Sequence, residues 1–70
     1  MQVKYVYYAE VDVEALDGSF TPDFCECGTL ESAKRAARIM AKEKGEKIAW
    51  IWRVNLATNK RTLLKPVFIK

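Results

Sequence analysis

Along the first segment of the chain, apolar and polar residues trade places with a period of two. The odd positions read Val3, Tyr5, Tyr7, Ala9, Val11 and Val13, and the even positions read Lys4, Val6, Tyr8, Glu10 and Asp12. Successive side chains on a strand point to opposite sides of a sheet, so this alternation predicts a β-strand over residues 3–13 with one buried face. Asp17-Gly18 follows, a pair that tolerates positive φ and closes turns. A second strand is predicted over Phe20–Cys27. Pro22 within it has no amide hydrogen to give a neighbour, which makes this an edge, bulged or short strand.

The period then changes. Leu30, Ala33, Ala36, Ala37, Met40 and Ala41 gather on one side of a helix at about 100° per residue, with Lys34, Arg35, Arg38 and Lys42 on the other. Thr29 is placed to cap the start, Glu31 sits in the first turn, Lys42 and Lys44 in the last, and Gly45 ends it. The buried side is mostly alanine. Such a helix approaches a sheet closely and calls for bulky side chains from the sheet, with Trp50 and Trp52 as the candidates.

After Gly45 the period of two returns. Ile48, Trp50, Trp52, Val54 and Leu56 alternate with Lys47, Ala49, Ile51, Arg53 and Asn55, a third strand whose more apolar parity carries the tryptophans toward the core. Ala57-Thr58-Asn59-Lys60 is the turn, and residues 61–69 return as a fourth strand. A two- or four-residue loop pairs Leu56 with Arg61 and sets Leu63, Val67 and Ile69 beside the tryptophans. A three-residue loop sets Leu64, Pro66 and Phe68 there instead. Pro66 implies an edge or an irregular end. The order is ββαββ, an α+β fold in which a four-stranded antiparallel sheet carries one helix on one face. One helix covers four strands poorly, which leaves Val6, Tyr8, Ile51 and part of strand four on an open face beside Lys4, Arg53 and Lys65.

Seventy residues make a single domain spanning 1–70, and a domain this small hides only about 60% of the surface of its unfolded chain. With half of its residues hydrophobic it can still build a core. No apolar run is long enough to span a membrane and no signal-peptide pattern is present, so a cytoplasmic location in the host cell is expected. Charge is segregated. Residues 1–31 hold seven acidic groups against Lys4, a balance of −6, and residues 32–70 hold eleven basic groups against Glu43 and Glu46, a balance of +9. Asymmetry of this size marks a protein that meets charged partners.

Catalytic signatures are missing from this pattern. There is no histidine to serve as a base and no Gly-rich phosphate loop among three scattered glycines. Glu10, Asp12 and Glu14 share one strand face, a set able to form a carboxylate pair or hold a divalent cation, but a charged outer face of an antiparallel strand is the far commoner arrangement. Cys25 and Cys27 lie two apart on a strand, where alternate Cα atoms are roughly 6.5 to 7 Å apart, a poor geometry for a disulfide. Two thiols also fall short of the four ligands of structural zinc. Neither a cofactor nor a metal is implied, and enzyme is not the expected class.

Binding residues are easier to nominate. Lys34, Arg35, Arg38 and Lys42 form a basic ridge flanked by Ile39, suited to phosphates or to an acidic protein surface. Tyr8 with Arg53 and Lys65 forms a second candidate group on the sheet, of the kind that stacks single-stranded bases beside positive charge. The helix start, Thr29-Leu30-Glu31-Ser32-Ala33-Lys34-Arg35-Ala36-Ala37, set behind a Tyr-rich first strand in a chain of this length, resembles small phage-encoded anti-CRISPR proteins, in layout those that inhibit type I-F surveillance complexes. The resemblance implies a non-enzymatic inhibitor that docks on a CRISPR effector and blocks guide-target pairing. A second likeness is to the sheet-plus-helix arm-binding domains of phage integrases. The expectation is therefore a binding protein for an acidic or nucleoprotein partner, acting as a monomer or a homodimer, with direct nucleic-acid binding through the basic helix ridge and last hairpin as the alternative.

Overall fold

The computed structural model describes residues 4–69; Val3, expected at the start of the first strand, lies outside the described residues. The alternating N-terminal segment is β1 (Tyr5–Glu14), which turns through residues 15–19 into β2 (Phe20–Cys27). In that turn Gly18 takes φ 86°, the Gly18 amide donates to the Ala15 carbonyl at 3.0 Å, and Asp17 Oδ1 accepts from both the amide and the hydroxyl of Ser19. These contacts give the Asp17-Gly18 turn its shape.

The helix α1 (Leu30–Lys44) starts and stops where its signals stand. Thr29 is extended, and its Oγ1 accepts the Ser32 amide at 3.1 Å, satisfying one of the donors a helix start leaves open. Gly45 adopts φ 72°, and the Glu46 amide reaches back to the Ala41 carbonyl at 2.8 Å, a closure that an L side chain at Gly45 would strain.

Beyond Gly45 come β3 (Ile48–Asn55), β4 (Lys60–Leu63) and the short β5 (Val67–Phe68). The sheet is antiparallel in the order β2-β1-β3-β4, with β5 also on β3. The two hairpins thus lie side by side, and the strand carrying Pro22 is an edge, where a missing amide costs no ladder bond. The fold is α+β, with one helix packed on one face of the sheet, and its extents of 47 × 24 × 16 Å are those of two layers drawn out along the strands.

The core differs from expectation. Along the inner side of α1, Ala33, Ala37 and Ala41 have no exposed surface, and the sheet meets them with Ala9, Val11, Ala49 and Ile51, each exposed by no more than 1%. Leu30, Ala36 and Met40 of the helix pack at the margin of this cluster, as do Tyr7 and Val13 of the sheet. Trp50 and Trp52 are not in it. The register pairs Ala9 with Ile51, Tyr8 with Trp52 and Glu10 with Trp50, so the Ala49 and Ile51 parity faces the helix and the tryptophans face away. A helix whose inner row ends at Cβ lets the backbones approach until only small residues fit between them, and that excludes an indole. Ile51, expected on the open face, is the largest fully buried side chain.

The last strand follows neither single register. Asn55 pairs with Lys60 around a four-residue loop, residues 56–59, with Asn59 at φ 58°; Leu56 belongs to this loop and is exposed. Leu63 then pairs with Trp52 on the outer face, whereas Val67 pairs with Ala49 on the helix face. Parity changes across residues 64–66, where Leu64 donates its amide to the Ile51 carbonyl at 2.9 Å and Pro66 breaks the ladder. Leu64, Val67 and Ile69 consequently pack against the core.

Candidate functional site

Strand pairing carries one set of side chains onto the face that no helix covers. From β2 come Phe20, Pro22, Phe24 and Glu26; from β1 Val6, Tyr8, Glu10, Asp12 and Glu14; from β3 Ile48, Trp50, Trp52 and Val54; from β4 Arg61 and Leu63. A solvated antiparallel face ordinarily reads as polar. This one is mostly aromatic and aliphatic, with Phe20, Phe24 and Leu63 exposed by 63%, 53% and 47%.

Within that face, Tyr8, Glu10, Phe24, Trp52, Val54, Asn59 and Arg61 line an open hollow of about 620 Å3. Glu10 lies at its acidic end, directly opposite Phe24 on one side and Trp50 on the other. The Trp52 indole Nε1–H donates to Glu10 Oε1 at 2.6 Å, which supplies the partner that a half-buried indole needs and holds the carboxylate in place. Burial pushes the Glu10 carboxyl above its usual value near 4.5; the Trp52 bond opposes this, and the neighbouring Asp12 adds to it.

The charge asymmetry of the chain is partly divided between layers. Among the described residues, Glu10, Asp12, Glu14 and Glu26 stand on the open face with Arg61 as its basic strand residue, while the basic ridge occupies the opposite layer on α1, which also carries Glu31 and Glu43, and Asp23 of β2 shares the helix-side parity of Val11. In the ridge Arg35, Arg38 and Lys42 are exposed, Lys34 is half-buried and Ile39 is 53% exposed. Arg38 and Lys42 share a second, smaller hollow with Phe68 and Ile69.

The group Tyr8, Arg53 and Lys65 is not assembled. Arg53 pairs with Tyr7 and so sits on the helix side of the sheet, its guanidinium 4.9 Å from the centre of the Tyr5 ring. Lys65 is exposed in the break between β4 and β5. The basic residue that joins Tyr8 on the open face is Arg61. The sequence pattern assigns Trp50 and Trp52 to the core, nominates Glu10 only together with Asp12 and Glu14, and does not single out Phe24. Their signal was present in the alanines, since Ala9, Ala49 and the alanine helix row are mutually complementary, and in the need of an indole for an acceptor.

Cys25 and Cys27 pair with Ala9 and Tyr7 on the helix side of the edge strand, half-buried and free, with their sulfurs 4.0 Å apart. Burial, with Cys25 alongside, pushes the Cys27 thiol up, as in inert thiols packed at the rim of a core. Among the described residues no helix is long and apolar enough to cross a membrane. The chain matches no family model, no curated protein and no solved structure.

Proposed function

We propose that this chain is a small non-enzymatic binding protein that acts by docking its uncovered sheet face on a protein or nucleoprotein complex in the host cytoplasm. The observation that carries the reading is the aromatic hollow around Trp52 with no layer of the fold above it. Carboxylates among the aromatics favour a partner surface rich in lysine and arginine.

The likeness of the helix start to anti-CRISPR proteins makes a type I-F surveillance complex the specific partner proposed, with inhibition by occlusion of its nucleic-acid path. Affinity capture from host lysate, with and without nuclease, tests the general reading. Capture that survives nuclease and disappears in Trp52→Glu is the expected result; equal capture by that variant would sink it. Target-DNA binding by the purified surveillance complex, measured with and without this protein, tests the specific one, and undiminished binding at saturating protein would remove that partner.

The basic ridge of Lys34, Arg35, Arg38 and Lys42 favours a second reading, direct nucleic-acid binding from the helix layer, because Glu10, Asp12, Glu14 and Glu26 lie on the other side of the sheet. It predicts an affinity falling linearly with salt on logarithmic axes. Absence of any shift with duplex, single strands or RNA at low salt would eliminate it.

A further inference from the structure

We propose that the hollow around Glu10 is a receptor for a lysine side chain of the partner, an inference that rests on the docking reading and sharpens it. Three features converge on an alkylammonium group. By register Phe24 and Trp50 lie opposite Glu10 and Trp52 diagonal to it, with Tyr8 two residues before it on the same face of β1, and aromatic faces carry negative potential that attracts cations. Glu10 itself is an oriented carboxylate: Trp52 engages Oε1, which leaves its remaining acceptor capacity to a second donor. The floor is partly aliphatic, with Val54 among its lining residues, and suits the methylene stem that a lysine lays along apolar surface.

The charges facing Glu10 point the same way. Asp12 on its own strand and Glu26 on β2 are acidic, β3 contributes no titratable group to this face, and β4 contributes Arg61 at the far side of the hollow. An ammonium entering the site neutralises the repulsion from Asp12 and offsets the burial that now holds the Glu10 carboxyl above its ordinary value. Binding is therefore coupled to loss of the Glu10 proton, and affinity rises with pH through the raised pKa. The basic ridge of a second copy would also present lysines, but such a face-to-helix contact is heterologous and repeats head to tail into rings or open chains of molecules rather than pairing two copies.

The test uses the intact protein and two short capped peptides, Gly-Lys-Gly and Gly-norleucine-Gly, followed through the Trp52 indole N–H resonance. Lysine peptide is expected to shift that resonance saturably, with norleucine peptide at least tenfold weaker. Glu10→Gln is expected to weaken lysine binding at least tenfold with an unchanged circular dichroism spectrum. Equal response to the two peptides, or unchanged affinity in Glu10→Gln, would overturn the site. The docking reading fails separately: partner capture kept by Glu10→Gln and lost by Trp52→Glu removes the lysine receptor and leaves the docking face standing.

Discussion

The two faces of this sheet are built on opposite rules. The helix-covered face is a packing problem solved with the smallest apolar residues, Ala9, Ala49, Ala33, Ala37 and Ala41 around Val11 and Ile51. The open face carries the large aromatics together with carboxylates and leaves them uncovered. The covered face thus buries these side chains almost completely, whereas the outer face leaves Phe20, Phe24 and Leu63 about half exposed or more. The difference teaches that residue size is a poor guide to burial when the partner layer is a row of alanines: close approach selects for methyl groups and expels indoles.

Breaking the covered face should give the largest effects. Ile51→Ala is expected to cost about 2 to 5 kcal/mol by loss of apolar contact and a residual cavity, read as a fall in the urea midpoint. Leu63→Ala, across the sheet and 47% exposed, should cost well under half of that. If the two losses prove equal, the contrast between the faces fails.

Overpacking comes next. Ala37→Leu forces a larger side chain between helix and sheet at a position with no exposed surface, and about 1 to 3 kcal/mol of destabilisation is expected. At about 4 to 8 °C of melting temperature per kcal/mol in a domain of this size, calorimetry resolves it easily. No change in melting temperature would mean that the helix does not lie as close as its alanine row requires.

On the open face, Trp52→Phe removes the indole donor to Glu10 while keeping an aromatic ring. A loss of about 1 kcal/mol is expected for the hydrogen bond. The Glu10 carboxyl should titrate still higher, because the Trp52 bond now acts to lower it. Carboxyl chemical shifts followed against pH check the sign, and a downward movement would contradict the assigned bond.

The smallest effects concern pH. Glu10 is raised in the fold, so the folded state binds its proton more tightly than the unfolded chain; its contribution to stability is present below the ordinary value near 4.5 and is lost as pH rises through the folded pKa. Asp17, lowered chiefly by the Ser19 hydroxyl and amide, behaves in the opposite sense: its contribution is present above the ordinary value near 3.8 and is lost as pH falls through the folded pKa. Glu10→Gln should flatten the slope of stability above pH 4.5, and Asp17→Asn the slope below 3.8. Denaturation midpoints across pH 3 to 7 separate the two, and slopes unchanged in both variants would show that neither carboxyl contributes.

Local chemistry made much of this fold legible. Thr29 and Gly45 bound the helix because capping and left-handed backbone are properties of a few adjacent residues, and the inner row of α1 follows from its period alone. Asp17-Gly18 marks its turn and Pro22 its edge for similar reasons. The basic ridge was equally readable, since the outside of a helix is set once its inside is known.

The parity of β3 was a different kind of quantity. Both of its faces contain apolar residues, and counting hydrophobicity ranks Trp50 and Trp52 above Ala49 and Ile51; only the distance between the alanine row and the sheet chooses between them. The register of the last strand likewise changes side across Pro66, because Leu63 answers to Trp52 while Val67 and Ile69 answer to the core. Capping, turn chemistry and periodicity act over a few residues and are written in the chain order. Which face of a strand meets which layer depends on volumes brought together from distant segments, and on this molecule that choice placed the aromatics, Glu10 and the candidate site on the outside.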